Sequence, residues 1–303
     1  MRKKARRGSL EGYIFISPWL IGFLVFIAGP TISTFIISFS EWKLFSPSQW
    51  IGFLNYVKLS RDPLFYQSLK VTTLYAVSSV PLGILTALLI ASLLAQKVRG
   101  LAIFRTIFYL PSIVPLVAAA VLWIWIYNPE FGILNYFLGL VNIEGPDWLY
   151  SPTWILPAFV IMSLWSIGPM MIILLAGLVN IPKQFYDAAA IDGANSWNKF
   201  WHITVPMLSP TIFFILVINI AGSFQTFVQP FVMGGGGVIG AQYGAPLNAS
   251  LFYVLNLYRE GFRFFNMGYT CALSWVLTLI ILVITLCVFK SSSFWVYYEA
   301  KRK

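Results

Sequence analysis

The chain has 303 residues, of which 59% are hydrophobic and only 10% are charged, and its mean hydropathy is +0.79. A soluble domain is usually about 45–50% apolar and about 25% charged, so this composition indicates an integral membrane protein. The formal net charge of +10 does not indicate a nucleic-acid partner, because the basic residues flank apolar segments and do not cluster with aromatic or groove-reading elements.

Six segments that are almost free of charge are each long enough to cross a membrane. A bilayer core of roughly 30 Å needs about 20 apolar residues of helix. The runs are continuously apolar, whereas the strands of a membrane barrel alternate. The sequence therefore predicts an all-α integral membrane fold with six transmembrane helices. The predicted spans are 13–39, 71–96, 103–127, 153–180, 203–231 and 267–289.

Several spans contain proline. Neighbouring groups in a membrane bundle can satisfy the carbonyls that a proline frees, so proline is tolerated inside such helices. We therefore predict kinks within the spans, and not span boundaries, at Pro30, Pro81, Pro111, Pro115, Pro169 and Pro230.

Lys and Arg indicate the orientation. Fourteen of the twenty lie on one side of the predicted bundle, and by the positive-inside rule that side is the cytoplasm. We predict a cytoplasmic basic N-terminus over residues 1–12, a six-helix domain over 13–290 and a cytoplasmic tail over 291–303. In the outward loop before the last span, Ala249 to Phe262 is expected to form a short helix. The outward loops are 40–70, 128–152 and 232–266.

The sequence lacks the residues of an enzyme or a proton-driven carrier. It contains no Gly-Lys pair and hence no phosphate-binding P-loop. No acidic residue falls inside a predicted span, although proton relays need ionisable groups at membrane depth. A single His and two Cys do not suit a zinc site with three or four converging ligands. We predict no catalytic residue, no metal site and no cofactor bound by this chain.

A charged segment, 181–206, separates two apolar spans. Pro182 suits the first position of a helix, and Gly193 can adopt the left-handed conformation that turns the chain. Asn195 or Ser196 can then cap a second helix. The segment predicts two short helices on the cytoplasmic surface. They either dock into a partner's groove or rest in the lipid headgroup layer.

The same segment resembles the EAA loop of the permease subunits of bacterial ABC importers. That pattern is EAA, three residues, Gly, nine residues, Ile and then Leu-Pro. The matching positions here are Asp187, Ala188, Ala189, Gly193, Ile203, Val205 and Pro206. Asp187 departs from the usual Glu, which shortens the acidic side chain by one carbon.

The chain is similar in particular to the carbohydrate-uptake branch, which includes the maltose and glycerol-phosphate permeases. The similarity runs from about Tyr13 to Lys290 and departs from the family's usual pattern at "MGGGGVIGAQYG", residues 233–244. It rests on "WIGFLNY" at 50–56, "FRTIFYLPSIVP" at 104–115 and "YNPEFGILN" at 127–135.

The resemblance implies a type I ABC importer permease fold with a cytoplasmic helix-turn-helix, in the plasma membrane of a bacterium. It implies a homologous second permease subunit, two ATP-binding cassette subunits that hold ATP and Mg, an extracellular solute-binding protein and a carbohydrate cargo. This chain would form half of the pathway and would not be an enzyme. The expected ATPase-coupling residues are Asp187, Ala188, Ala189, Asp192, Gly193, Ala194, Phe200 and Pro206.

Polar residues inside a span should face a bundle interior or water. Small polar groups beside aromatic rings suit a sugar, which has hydroxyls at its edge and apolar faces. Helix packing through hydrogen bonds is the alternative, and we favour it for Ser163 and Ser166 taken singly. The expected substrate-pathway residues are Trp165, Ser166, Pro169, Asn219, Gly222, Gln225 and Gln229.

Two other functions remain open. The first is an importer of the same architecture for another solute, such as glycerol phosphate or an amino acid, because the EAA loop indicates coupling and not cargo. The second is a six-helix channel or receptor without an ATPase partner. A membrane-embedded enzyme is a weaker alternative because the sequence offers no cluster of ligands or nucleophiles.

Overall fold

The computed structural model describes residues 2–44, 46–96, 100–235 and 243–297, with side chains from Tyr13 onward. Contacts divide the chain into two compact units. The first contains Met1–Asp62 and Leu257–Thr278, and the second contains Pro63–Asn256 and Leu279–Lys303. The predicted C-terminal tail lies partly outside the described residues, and the last helix extends into it as far as Trp295.

In the first unit, helix α1 (Arg2–Phe23) continues through a π turn into α2 (Gly29–Ile37). A short antiparallel hairpin of β1 (Ser40–Glu41) and β2 (Gln49–Trp50) follows, and then α3 (Leu54–Arg61). The buried Asn55 amide ties these elements together. It donates hydrogen bonds to the carbonyl oxygens of Ser38 at 2.8 Å and Ser40 at 3.0 Å.

The second unit is built around one long helix, α4, Pro63–Leu94. It packs against α8, α9 and α12, and its Ala87 and Ala91 have no exposed surface, which lets the neighbouring helices approach closely. The other helices of this unit are α5 (Leu101–Tyr109), α6 (Leu116–Ile126), α7 (Ile133–Leu140), α8 (Ile155–Trp165), α9 (Gly168–Val179), α10 (Lys183–Ile191), α11 (Ser196–Lys199), α12 (Val205–Phe224) and α13 (Val228–Met233).

Two helices extend from one unit into the other along the chain. Helix α14 covers Tyr253–Tyr258 and continues as a π turn over Arg259–Arg263. Helix α15 covers Met267–Trp295.

The predicted number of spans agrees with the helices. Within the described residues, four helical stretches are long and apolar enough to cross a membrane, and two bent pairs pass the same test together. Six spans result if each bent pair counts as one, and each falls on a predicted segment. The four stretches are Tyr13–Ile37, Pro63–Leu94, Ser196–Met233 and Met267–Trp295, and the pairs are Leu101–Ile113 with Leu116–Ile126 and Ile155–Trp165 with Gly168–Val179.

Near Pro115 and Pro169 the predicted kinks are sharp breaks between two helices of one bent pair, and Pro111 lies in the 3-10 turn that precedes the first break. The two helices on either side of Pro115 meet at an angle of 99°. The helices Ile155–Trp165 and Gly168–Val179 meet at 50°, and Pro169 is the second residue of the latter. Val114 is extended, with φ −67° and ψ 128°, because the ring of a following proline disfavours the helical conformation. Pro81, in contrast, lies within the unbroken α4.

A close contact between helices fixes the position of α9. A Cβ atom on Gly168 would lie 2.6 Å from the carbonyl oxygen of Phe108 and 2.7 Å from the Cα of Tyr109. These are backbone atoms, so a side chain at residue 168 forces one of the two elements to move.

We therefore expect Gly168→Ala to destabilise the protein by about 1–3 kcal/mol, the usual cost of overpacking. The measurement is the thermal unfolding temperature of the purified chain in detergent. Gly139→Ala in α7 is the control, because a Cβ at that position meets no heavy atom within 4 Å. Equal unfolding temperatures for the two variants would contradict the proposed contact.

Candidate functional site

The first candidate site is the predicted coupling segment, which the structure folds as α10, a tight turn and α11. Pro182 is the N-cap of α10, with ψ 130°, and Lys183 is the first helical residue. The prediction that Pro182 occupies the first helical position is therefore wrong by one residue. Proline is extended here because it lies before, and not within, the first helical turn.

Gly193 forms the turn, and its predicted left-handed conformation is confirmed by a φ of +75°. The N–H of Gly193 donates to the carbonyl of Ala190 at 3.1 Å, and the N–H of Ala194 donates to that of Ala189 at 2.8 Å. These two bonds form a Schellman motif, the usual glycine-dependent end of a helix. Ala189 and Ala194 thus contribute backbone groups that hold the turn.

Asn195 caps α11, as predicted, because its side-chain oxygen accepts a hydrogen bond from the Asn198 N–H at 2.8 Å. The expected separate second helix, however, is wrong. After Lys199 the chain passes through a π turn, Phe200–Thr204, and continues directly into α12. Pro206 therefore lies in the first turn of α12, within a continuous helical stretch. A π turn changes the hydrogen-bond register, which accommodates proline without ending the helix.

One face of the coupling segment packs on the bundle. Tyr186, Phe200 and Ile203 are partly buried against the core that contains Leu174 and Leu208. The Tyr186 hydroxyl lies 2.9 Å from the Thr204 hydroxyl, which joins α10 to the π turn. Phe200, one of the expected coupling residues, thus contacts the chain's own core.

The opposite face is open. Asp187, Ala188, Asp192 and Gly193 are exposed, and Ile191 is 87% exposed. Ile191 is not among the coupling residues expected from the sequence. Its apolar character was visible, but an apolar residue in a helix is usually assigned to the buried face, and only the packing of α10 shows that Ile191 points away from it.

The second candidate site is a cavity of about 510 Å³ within the second unit. Five of the seven expected pathway residues line it, namely Trp165, Ser166, Asn219, Gly222 and Gln229. Further polar and aromatic lining comes from α4, α8, α12 and the breaks between helices: Tyr75, Ser79, Ser112, Phe159, Ser163, Ser223 and Thr226.

Pro169 and Gln225 are not among the lining residues. α12 ends at Phe224, so the helical periodicity that placed Gln225 on the cavity face does not continue through it. The Gln225 side chain is exposed and donates to the carbonyl of Ala221 at 3.1 Å. The lining by α4 was missed, although Ser68, Thr72, Tyr75 and Ser79 recur at i, i+4, i+7 and i+11, so that they share one face of the helix. That stripe is the signal that could have identified Tyr75 and Ser79.

The cavity can bind a polar molecule through hydrogen bonds and aromatic contacts. Its described lining includes hydroxyl and amide groups beside the rings of Tyr75 and Trp165, and none of these lining residues carries a charge. A Cβ on Gly222 would meet no heavy atom within 4 Å, so this position faces open space. Among the described residues there is no group of three His, Cys, Asp or Glu that could hold a metal ion.

Comparison with known proteins gives a family match. The model of the family described as "Binding-protein-dependent transport system inner membrane component" matches residues 79–292. The chain is 41% identical over 304 residues to the probable ABC transporter permease protein YesP of Bacillus subtilis strain 168. The aligned region covers 99% of this chain and 96% of YesP.

Two further likenesses cover most of the chain. The arabinooligosaccharides transport system permease protein AraP of Halalkalibacterium halodurans is 32% identical over 90% of this chain and 85% of its own length. The fold matches a solved bacterial ABC transporter involved in the import of the acidic polysaccharide alginate. The TM-score is 0.81 at 25% identity, over 96% of this chain and 97% of that one.

The turn at Gly193 generates a test. Gly193→Val places a β-branched residue in the left-handed region at a cost of roughly 1–2 kcal/mol, so we expect faster amide exchange over residues 183–204. Gly193→Asn is the matched control, because Asn tolerates this conformation. Hydrogen–deuterium exchange measured by mass spectrometry compares the two. Equal exchange in both variants would show that the turn does not depend on the glycine.

Proposed function

The chain belongs to the family of binding-protein-dependent transport system inner membrane components, and from that premise we propose that it forms half of the translocation pathway of an ATP-driven carbohydrate importer. The expected all-α type I permease fold is confirmed, and the chain is a multi-pass membrane subunit and not an enzyme. The names of the relatives supply the cargo class, since AraP transports arabinooligosaccharides and the solved structure belongs to an importer of alginate.

The observation that carries the proposal is the cavity among the helices of the second unit. Its volume of about 510 Å³ lies within the range of roughly 300–1,000 Å³ usual for small-molecule sites. The Ser79, Asn219 and Gln229 side chains can exchange hydrogen bonds with sugar hydroxyls, while the Trp165 ring can cover an apolar sugar face. We assign seven cavity-lining residues to the substrate pathway: Trp165, Ser166, Asn219, Gly222 and Gln229, which were expected from the sequence, and Tyr75 and Ser79.

Coupling to ATP hydrolysis is proposed for the open face of the segment α10–α11. The exposed residues Asp187, Ala188 and Ile191 form a surface that can enter a cleft of a partner ATPase subunit. ATP and Mg would be held by that partner. Binding of nucleotide then shifts the bundle between two arrangements, because the nucleotide-bound ATPase dimer binds one of them with higher affinity.

The remaining partners and the orientation follow from the same proposal. A homologous second permease supplies the other half of the pathway, and a solute-binding protein delivers sugar on the outward side. The basic N-terminus and the C-terminal tail face the cytoplasm of a bacterium, as the distribution of Lys and Arg indicates. The outward hairpin and the loop before α14 then face the binding protein.

The first test measures ATPase activity of the complete complex in lipid nanodiscs. We expect a binding protein loaded with an oligosaccharide to stimulate hydrolysis, whereas an unloaded one stimulates less. The panel includes neutral and acidic oligosaccharides, monosaccharides, glycerol phosphate and amino acids. Stimulation by glycerol phosphate or an amino acid alone would contradict the carbohydrate assignment. A chain that assembles only with copies of itself would contradict the importer.

The second test narrows the cavity. Gly222→Leu adds a side chain into the open space of the cavity. We expect the rate of sugar uptake into vesicles to fall about tenfold or more, equivalent to about 1.4 kcal/mol in the barrier to transport. The unfolding temperature should not change. Gly139→Leu is the control, since residue 139 also faces open space but does not line the cavity. Normal uptake by the Gly222→Leu complex would place the pathway elsewhere.

A further inference from the structure

The loop before α14 is buried inside the second unit. Leu251, Phe252, Tyr253 and Leu255 all have 0% exposure. Loops normally run over the surface of a protein, so the burial of these large side chains means that residues 250–255, here called the inserted segment, enter the bundle. The expected short outward helix exists as α14, but its first turn is buried within the unit.

The inserted segment is held to α4 by specific hydrogen bonds. The N–H of Tyr253 donates to the Thr72 hydroxyl oxygen at 2.8 Å, and that hydroxyl donates to the carbonyl of Ser68 at 2.8 Å. Just before the segment, the Gln67 side chain donates to the carbonyl of Asn248 at 3.2 Å. The remaining backbone N–H groups at the start of the segment bond within the loop: Ser250 to the carbonyl of Gly244, Leu251 to that of Asn248 and Phe252 to that of Ser250. These bonds satisfy polar backbone groups that burial would otherwise leave without partners.

Phe252 contacts the wall of the cavity. Its ring makes edge-to-face contacts with Tyr75 of α4, at a centroid distance of 5.1 Å, and with Phe159 of α8, at 5.4 Å. Both partners line the cavity. We call these three rings the aromatic clamp.

The position of the clamp along the helices is decisive. Helix α4 begins at Pro63, and Tyr75 is the first of its residues to line the cavity, about 18 Å along the helix at 1.5 Å per residue. Helix α8 begins at Ile155, and Phe159 is likewise its first lining residue. Both helices start on the side assigned as outward. Phe252 therefore bridges the outermost lining residues of two helices.

We propose that the aromatic clamp closes the outward end of the cavity, and that Phe252 has to withdraw from Tyr75 and Phe159 before a sugar can enter. The proposal rests on the proposed function and on its outward orientation. Phe252 is thereby a positioning residue of the pathway, since it acts through two rings that line the cavity.

The turn before the inserted segment is suited to such a movement. Leu247 and Asn248 have φ angles of +48° and +60°, a conformation that is unfavourable for a residue such as leucine. Contacts of the buried segment hold this turn in place. Leu247 is also 81% exposed, so the turn presents an apolar side chain at the surface while the segment that follows is buried.

The test locks the clamp with a cross-link. Tyr75→Cys and Phe252→Cys are combined in a chain in which Cys271 and Cys287 are replaced by Ser, and the complete complex is reconstituted in vesicles. We expect a short bifunctional thiol reagent with a reducible link to lower binding-protein-dependent sugar uptake at least about tenfold, equivalent to about 1.4 kcal/mol. Reduction should restore uptake. The control pair, Phe39→Cys with Trp50→Cys, has rings 5.7 Å apart in the outward hairpin and should cross-link without loss.

A second variant tests the opposite effect. Phe252→Ala should let sugar leak through the complex without ATP, whereas Phe252→Leu, which retains an apolar side chain, should leak less. If the unmodified complex imports sugar but the cross-linked clamp imports it equally fast, the clamp proposal is overturned and the proposed function stands. If the unmodified complex neither imports sugar nor responds to any loaded binding protein, the proposed function fails and the clamp fails with it.

Discussion

The architecture depends on the need to satisfy every backbone N–H and C=O group at membrane depth. Continuous helices do this internally, and non-helical backbone is tolerated only where it is buried in protein or lines a cavity. The described spans follow this constraint. Their helices break before Leu116, after Trp165 and after Phe224, and residues at or beside each of the three breaks line the same cavity: Ser112, Val114, Ser166 and Thr226. The interruptions that proline and the helix ends create are therefore gathered around one polar space.

The coupling segment is joined to this space by a helix without a break. From Ser196 the chain remains helical through a π turn to Phe224, a distance of about 44 Å at 1.5 Å per residue. Asn219 and Gly222 near its far end line the cavity, while α10 and the turn at Gly193 precede its near end. A displacement of the coupling segment would thus reach the cavity wall through one rigid element. This gives the proposed coupling a physical route that needs no chain of small side-chain movements.

Successive parts of the long central helix α4 make different contacts. The N-terminal part of α4 binds the inserted segment through Thr72 and the turn before that segment through Gln67. Its middle, from Tyr75 to Gly83, lines the cavity, and its C-terminal part, with Ala87 and Ala91, packs closely against neighbouring helices. In the proposed orientation, the inserted segment lies on the outward side of the cavity, as the proposed closed entrance requires. The inner core around Leu174 and Leu208 supports the coupling segment.

The sequence alone determined the membrane class, the positions of the six spans and the turn at Gly193, and it limited the cap of α11 to Asn195 or Ser196. Apolar length and the conformational preferences of these small residues are local properties. It also identified five cavity residues from the polarity of two spans. The tertiary structure decided the rest. The exposure of Ile191, the turn of Gln225 away from the cavity and the part played by Tyr75 depend on which helices pack together and where they end. The inserted segment depends on a hydrogen bond between Tyr253 and Thr72, 181 residues apart in the chain, and no local pattern reports a contact between residues so distant in sequence.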